Sequence, residues 1–303
     1  MTRREIADLF ARREKAQNER DFAAVELIFA EDCTVDSPTT GGTVVGRAAV
    51  DDIHRAWVGG FPDVRWTTDD LLIDGGEVAW VATVGGTDTG GFMGLPATGR
   101  PFDLPMVLLS TVRDGFIVRE RRIYDFTGML VQIGVLKARP AGPLPENAPA
   151  SPAAVDPSEA DRPPSRDAVV ALLRARHDGW RRRDSAAIAR LYAPTAIFDS
   201  HIAGRAVGSA AIAAVYERWW GAFADGEYVV EATIVDGAKA AEVTAHSGTD
   251  TGGFGGQPPT GKPFRLPVVW LHTFERGAIV YSRPIYDFTG MLVQIGVLKA
   301  KPA

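Results

Sequence analysis

Residues 123–141 read IYDFTGMLVQIGVLKARPA and residues 285–303 read IYDFTGMLVQIGVLKAKPA; 18 of 19 positions are identical at a shift of 162. The same shift relates GTDTGGFMGLPATGRPFDLP (86–105) to GTDTGGFGGQPPTGKPFRLP (248–267), with 15 of 20 positions identical. The chain is therefore one domain written twice. Solenoid units repeat every ~20–50 residues, so a period this long means duplicated domains. Each candidate functional residue can be sought in both copies.

Working outward, the copies occupy 1–139 and 165–303. Between them, 140–164 carries eight prolines in 25 residues. Proline, alanine and acidic residues build no core, which predicts a semi-extended linker. A hydrophobic share of 46% and a charged share of 23% are ordinary for a globular chain. A net charge of −5 offers no electrostatic footprint for nucleic acid. Arg181–Arg183 sit beside Asp184 and read as a solvated helix end. Cys33 is the only cysteine, which excludes an internal disulfide framework and fits a reducing compartment. The start is charged and helical, without an apolar signal region. No apolar run approaches the ~20 residues of a membrane span. These features predict a cytoplasmic protein with no nucleic-acid or membrane partner.

The pattern within each copy is the same. Helices are expected at 2–18 and 21–30, a short strand at 33–38 and a third helix at 48–61, with strands at 64–73, 77–89, 101–113 and 116–125. Asp74-Gly75-Gly76 and Arg113-Asp114-Gly115 punctuate the strands as turns. Helices first and an antiparallel sheet afterwards predict an α+β domain. The fold expected is two tandem cone-shaped domains, each a curved, mostly antiparallel sheet wrapped around about three helices.

Two motifs carry a resemblance. The run G-T-D-T-G-G-F-x-G-x-P-x-T-G-[RK], followed by Y-D-x-x-G-M-L-x-Q-x-G, resembles the SnoaL-like polyketide cyclases of the nuclear-transport-factor-2-like and ketosteroid-isomerase-like superfamily. The junction FAEDCTVDSP (29–38) is similar to that family's passage from helix to first strand. The resemblance covers both copies and omits the linker. It implies an aspartate general acid/base before the last helix, at Asp125 and Asp287. It also implies pocket-lining positions at Asp88 and Asp250, where many relatives carry histidine. Relatives often pair as dimers, which implies an intramolecular pseudo-dimer here and leaves a further homodimer open.

The residues themselves allow other assignments. Strand alternation puts Arg121, Ile123 and Asp125 on one face and Arg122 and Tyr124 on the other. Copy two repeats this with Arg283, Ile285 and Asp287, and with Pro284 and Tyr286. On an apolar hollow, Asp125 and Asp287 would shuttle protons, with Arg121 and Arg283 tuning them. As helix caps they would be structural. Asp88 and Asp250 precede two glycines, where Asp also organises turns. Asp36 and Asp199 lie on the first strand, and a slip of one residue exchanges Asp36 for Ser37 on the hollow face. His201 shares a face with Asp199, and His246 with Asp250, each an acid/base pair if close. Tyr124 and Tyr286 are candidate oxyanion donors, although their strand phase argues for the opposite face. Trp57 and Trp219 are core residues or walls for a flat ligand. No H-E-x-x-H, paired cysteine or regular His/Asp spacing suggests a metal, no nucleotide fingerprint suggests a cofactor, and GTDTGGF lacks the strand-to-helix context of a phosphate loop.

The expected function is a cofactor-independent cyclase or isomerase that moves a proton on a small hydrophobic, polyketide-like metabolite. Two readings stay open beside it: an epoxide hydrolase or epoxide-opening cyclase of polyether type, with Asp36 beside Asp88, and a non-catalytic binder of hydrophobic ligands.

Overall fold

The computed structural model describes residues 1–140, 164–200 and 204–302. Apart from its two ends, the proline-rich linker lies outside the described residues, and so does His201. The chain divides into two compact units, one built on Met1–Ala138 and the other within Arg139–Lys299.

In the N-terminal half, α1 (Arg3–Glu19) begins at Thr2, whose side chain accepts from the Glu5 amide in a capping box. Its buried stripe is Ile6, Leu9, Phe10, Arg13 and Gln17, one face at helical spacing. After it come α2 (Phe22–Glu26), β1 (Phe29–Ser37), β2 (Gly42–Val45) and α3 (Arg47–Gly60). Then β3 (Arg65–Asp74), β4 (Glu77–Thr87), β5 (Pro101–Arg113) and β6 (Phe116–Tyr124) lead into α4 (Phe126–Gln132) and β7 (Leu136–Pro140). The sheet order is β2-β1-β6-β5-β4-β3, antiparallel except where β1 runs parallel to β6.

The C-terminal half repeats the order with α5 (Arg166–Arg182), α6 (Ser185–Ala189), β8 (Tyr192–Ser200), β9 (Gly204–Val207) and α7 (Ser209–Ala222). It continues with β10 (Glu227–Asp236), β11 (Lys239–Thr249), β12 (Pro263–Glu275), β13 (Ala278–Ile285), α8 (Phe288–Gln294) and β14 (Leu298–Pro302). Its sheet order is β10-β11-β12-β13-β8-β9, with β13 and β8 parallel.

Each half is thus α+β, as the sequence predicts, with a fourth, short helix after the last long strand. The first strand starts four residues before the expected position, at Phe29, because Phe29 is itself a buried inward residue. Gly90 explains one glycine of the repeated motif. A side chain there would collide with the Gly59 carbonyl at the end of α3, and the Gly90 amide bonds Gly60 O at 3.0 Å. Gly252 repeats the collision against Gly221. The loop after β4 can lie on α3 only without a Cβ.

Candidate functional site

The inward phase of the last long strand decides what can line a hollow. On β6 the fully buried polar residues are Glu120 and Arg122, followed by Tyr124, while Arg121 and Asp125 are only half-buried. On β13 the same phase gives Ser282, Pro284 and Tyr286. The aspartates therefore sit on the other face, at the strand's end.

Asp125 is the N-cap of α4, where its carboxylate accepts from the Gly128 amide at 2.8 Å. Asp287 does the same for Gly290 in α8 at 2.8 Å. A Cβ at either glycine would collide with the carboxylate it serves, so the D-x-x-G spacing is capping geometry. Arg121 approaches Asp36 at 3.6 Å on the outer face. Arg283 also lies on that outer face, near Tyr281, whose hydroxyl is pushed up to about 12 by burial and by Asp199. These placements correct the expectation that Asp125, Asp287, Arg121 and Arg283 face the hollow.

The remaining carboxylates are tied up as well. Asp88 is wholly buried and accepts from the Gly91 amide at 3.1 Å, the Thr98 amide at 3.0 Å and the Thr98 hydroxyl at 2.8 Å. Asp250 repeats the set with Gly253 and Thr260. Both close a loop onto itself, the turn-forming alternative of the sequence reading. Asp36 faces outward while Ser37 is buried, which settles their slip in favour of Ser37. Asp199 is paired with Arg205 at 2.9 Å and accepts from the Tyr281 hydroxyl at 3.0 Å. Asp36 and Asp88 thus serve different partners and are not an acidic pair.

What does line a hollow is aromatic. In the C-terminal half a cavity of about 400 Å³, counting its open mouth, is walled by Trp180 of α5, Phe198 and Ser200 of β8, and Val215, Tyr216 and Trp219 of α7. His246 of β11, Val268 and Trp270 of β12, Pro284 of β13 and Tyr286 complete the wall. Among these, His246 is the sole imidazole, and no carboxylate lines the space. Trp180, Trp219 and Tyr228 surround its ring at centroid distances of 5.6, 6.0 and 4.9 Å. His246 Nε2 accepts from Trp270 Nε1–H at 3.3 Å, which leaves the proton of the neutral ring on Nδ1. No protein partner meets that buried Nδ1. Burial, reinforced by the charge of Arg176, holds the imidazole down at about 3, so it is neutral. His246 and Asp250 do not form the expected pair, because Asp250 is spent on its loop.

Sequence reasoning missed a buried arginine in each half. Arg13 donates to both Glu120 oxygens, with its Nη2 at 3.0 Å, and Arg122 reaches Glu120 at 2.8 Å. Burial alone would raise the Glu120 carboxyl, but the two guanidiniums outweigh it and hold the group at about 2. Arg122 also meets His54 Nε2 at 3.3 Å, and Gln17 meets the same nitrogen at 3.3 Å. In the C-terminal half, Arg176 bonds Tyr216 at 3.0 Å, Tyr228 at 2.8 Å and Glu242 at 3.1 Å, and lies 4.2 Å from the Trp270 ring. The missed signal was a charged residue on an apolar helical stripe, as at Arg13 among Ile6, Leu9 and Phe10.

Against known families, a model of the SnoaL-like polyketide cyclases matches residues 7–133 and again 170–295. This chain belongs to the SnoaL-like polyketide cyclase family. Solved structures of about half this length are similar to somewhat less than half of this SnoaL-like chain. IdmH from Streptomyces antibioticus, described as a candidate polyketide cyclase, is 33% identical, with 43% of this chain and 98% of IdmH covered and a TM-score of 0.38. A candidate polyketide cyclase from Xanthomonas campestris is 26% identical, with 44% and 98% covered and a TM-score of 0.39. AclR from Streptomyces galilaeus, described as a candidate hydroxylase, is 22% identical, with 44% and 87% covered and a TM-score of 0.40. A comparison with curated proteins found no match. Among the described residues of this SnoaL-like chain, no helix is long and apolar enough to cross a membrane, and no cluster of three metal-ligating side chains occurs.

Proposed function

We propose that the C-terminal cavity takes a hydrophobic, polyketide-like carbonyl compound and promotes its cyclisation or isomerisation toward a flat, ring-closed product, with His246 as the polarising group. The observation that carries this reading is the neutral imidazole at the wall of an otherwise aromatic hollow, its Nδ1–H unmet by protein. A β-dicarbonyl carbon acid enolises without a strong base. Such a reaction asks the protein to hold the chain folded and to stabilise charge growing on oxygen. A fixed N–H in a low-dielectric wall meets the second demand, and a neutral histidine is a known solution to it. Carbon–carbon bond formation then moves a proton from carbon to the new alkoxide, with solvent at the mouth as carrier.

The lack of a carboxylate in the wall also favours a rival, a binder that performs no chemistry. His246→Leu and Asp287→Asn separate the readings. With a linear poly-β-ketone thioester as substrate, His246→Leu is expected to lower kcat/KM by about 10²-fold, the scale of one lost oxyanion donor. Asp287→Asn should leave kcat/KM within a few fold. Unchanged kcat/KM in His246→Leu together with loss in Asp287→Asn would return the chemistry to the aspartate. No turnover by the unmodified protein, with ligand still bound, would favour the binder.

A further inference from the structure

The two halves share most of their scaffold and differ in what fills the hollow. Residue by residue, Arg122 stands where the C-terminal half has Pro284, Glu120 where it has Ser282, and Trp80 where it has Glu242. The buried arginine is common to both, as Arg13 and Arg176. Its carboxylate is not. It comes from β6 in the N-terminal half, as Glu120, and from β11 in the C-terminal half, as Glu242.

These exchanges are coupled by physical necessity. A buried guanidinium needs a carboxylate within reach, since one left unpaired is strongly destabilising. Glu120 serves Arg13 and Arg122 together, and the Arg122 side chain is only 2% exposed. Once the carboxylate moves to β11 and serine stands on the last long strand, an arginine two residues on would lose its partner. Proline there removes the guanidinium, and Pro284 forms part of the C-terminal cavity wall. The N-terminal half does keep a cleft of about 300 Å³, also counting its open mouth, but its wall is drawn from the helices, the turn before β3 and Trp66, with no residue of β4, β5 or β6. His54 and Gln17 border it and bond to each other, and His54 also meets Arg122.

We propose that the N-terminal half is closed by Arg122, pinned between Glu120 and His54, so that the chain takes one flat hydrophobic ligand, and takes it in the C-terminal half. The inference rests on the reading of the C-terminal cavity as the ligand site. Duplication has left one working hollow and one half whose equivalent space is plugged by an ion-paired side chain. Positions 80, 120 and 122 against 242, 282 and 284 set whether an arginine on the last long strand has a carboxylate, and so whether the plug is in place.

The full-length protein tests this with 1,8-dihydroxyanthraquinone, a planar tricyclic dicarbonyl, followed by calorimetry and by hydrogen exchange. Peptides within 102–122 and 264–284 differ in sequence and report the halves separately. The expected result is one equivalent per chain, with protection gained in 264–284 alone. Two equivalents, with protection in both peptides, overturn the closed half and leave the proposed function standing. One equivalent protecting only 102–122, or no binding, overturns both. The triple variant Trp80→Glu, Glu120→Ser, Arg122→Pro should raise the stoichiometry to two. If its circular dichroism is native and the stoichiometry stays at one, Arg122 is not the plug. If that variant does not fold, the stoichiometry and location in the unmodified protein still decide.

Discussion

Lowering the pH from 7 to 5 should weaken the C-terminal half about twice as much as the N-terminal half. His246 and His272 are buried in the C-terminal half, where burial first and Arg176 second press both imidazoles down, His246 to about 3 and His272 well below its ordinary value. In the N-terminal half His54 is pressed well below its ordinary value by burial, then by Arg122 and Arg13, against Glu120. A folded value depressed below the unfolded one means the unfolded chain binds more protons. Stability is then full above the unfolded value near 6.5 and is lost as pH falls from there toward the folded value, about 3 for His246. With an unfolded value of about 6.5 and no uptake in the folded state, each histidine costs about 2 kcal/mol between pH 7 and pH 5. One such group in the N-terminal half gives a loss of about 2 kcal/mol, and two in the C-terminal half give about 4 kcal/mol. Glu120, held at about 2, begins to add its own loss only below its ordinary value of 4.5, so pH 5 isolates the imidazoles.

Hydrogen exchange reads the halves apart. After correction for intrinsic rates, the slowest amides of β4–β6 should lose about 30-fold in protection and those of β11–β13 about 10³-fold, at about 1.4 kcal/mol per decade. His246→Asn should bring the C-terminal loss down to that of the N-terminal half. Equal losses in the two halves, or none, would refute the reasoning, because imidazoles held neutral by burial and, secondarily, by a nearby guanidinium leave no route to either outcome.

Two further outcomes follow from the buried pairs and caps. Glu120→Gln leaves Arg13 and Arg122 buried without a carboxylate and should cost the N-terminal half about 3–5 kcal/mol in urea unfolding, with little change in the C-terminal half. Asp125→Ala and Asp287→Ala each remove a side-chain cap and should cost about 1 kcal/mol, read as a lower melting temperature.

The architecture was legible because its signals are local and repeated. Two long identities fix the duplication, and the periodicity places each long helix and strand within a few residues. The site was less legible because alternation assigns residues to two faces without saying which face is inside. Arg121, Ile123 and Asp125 were correctly grouped, and so were Arg122 and Tyr124, but the hollow lies on the second group's side. Ser37 against Asp36 was the same question, decided by Val35 and Cys33 being buried beside Ser37. Glu120 was passed over because a carboxylate on a core face makes sense only with Arg13, which arrives from a helix 107 positions away. No strand read by itself shows that partner.

The duplication also reverses what agreement between the copies means. The block that matches best, IYDFTGMLVQIG, is fixed by a cap whose aspartate and glycine need each other sterically, and by Met129 and Ile133, or Met291 and Ile295, buried beneath it. Such a unit resists piecemeal change whether or not it performs chemistry. Among the buried residues that diverge, Arg122 to Pro284, Glu120 to Ser282, Trp80 to Glu242 and Val84 to His246 lie on the inward faces of β4 and β6 and of β11 and β13. Buried positions are the most constrained by packing, so exchanges between arginine and proline or valine and histidine there are not neutral drift of a surface. They are what one half would accumulate in acquiring a ligand, or the other in losing it. Identity between the copies therefore marks the scaffold, and the difference between them marks what surrounds the hollow.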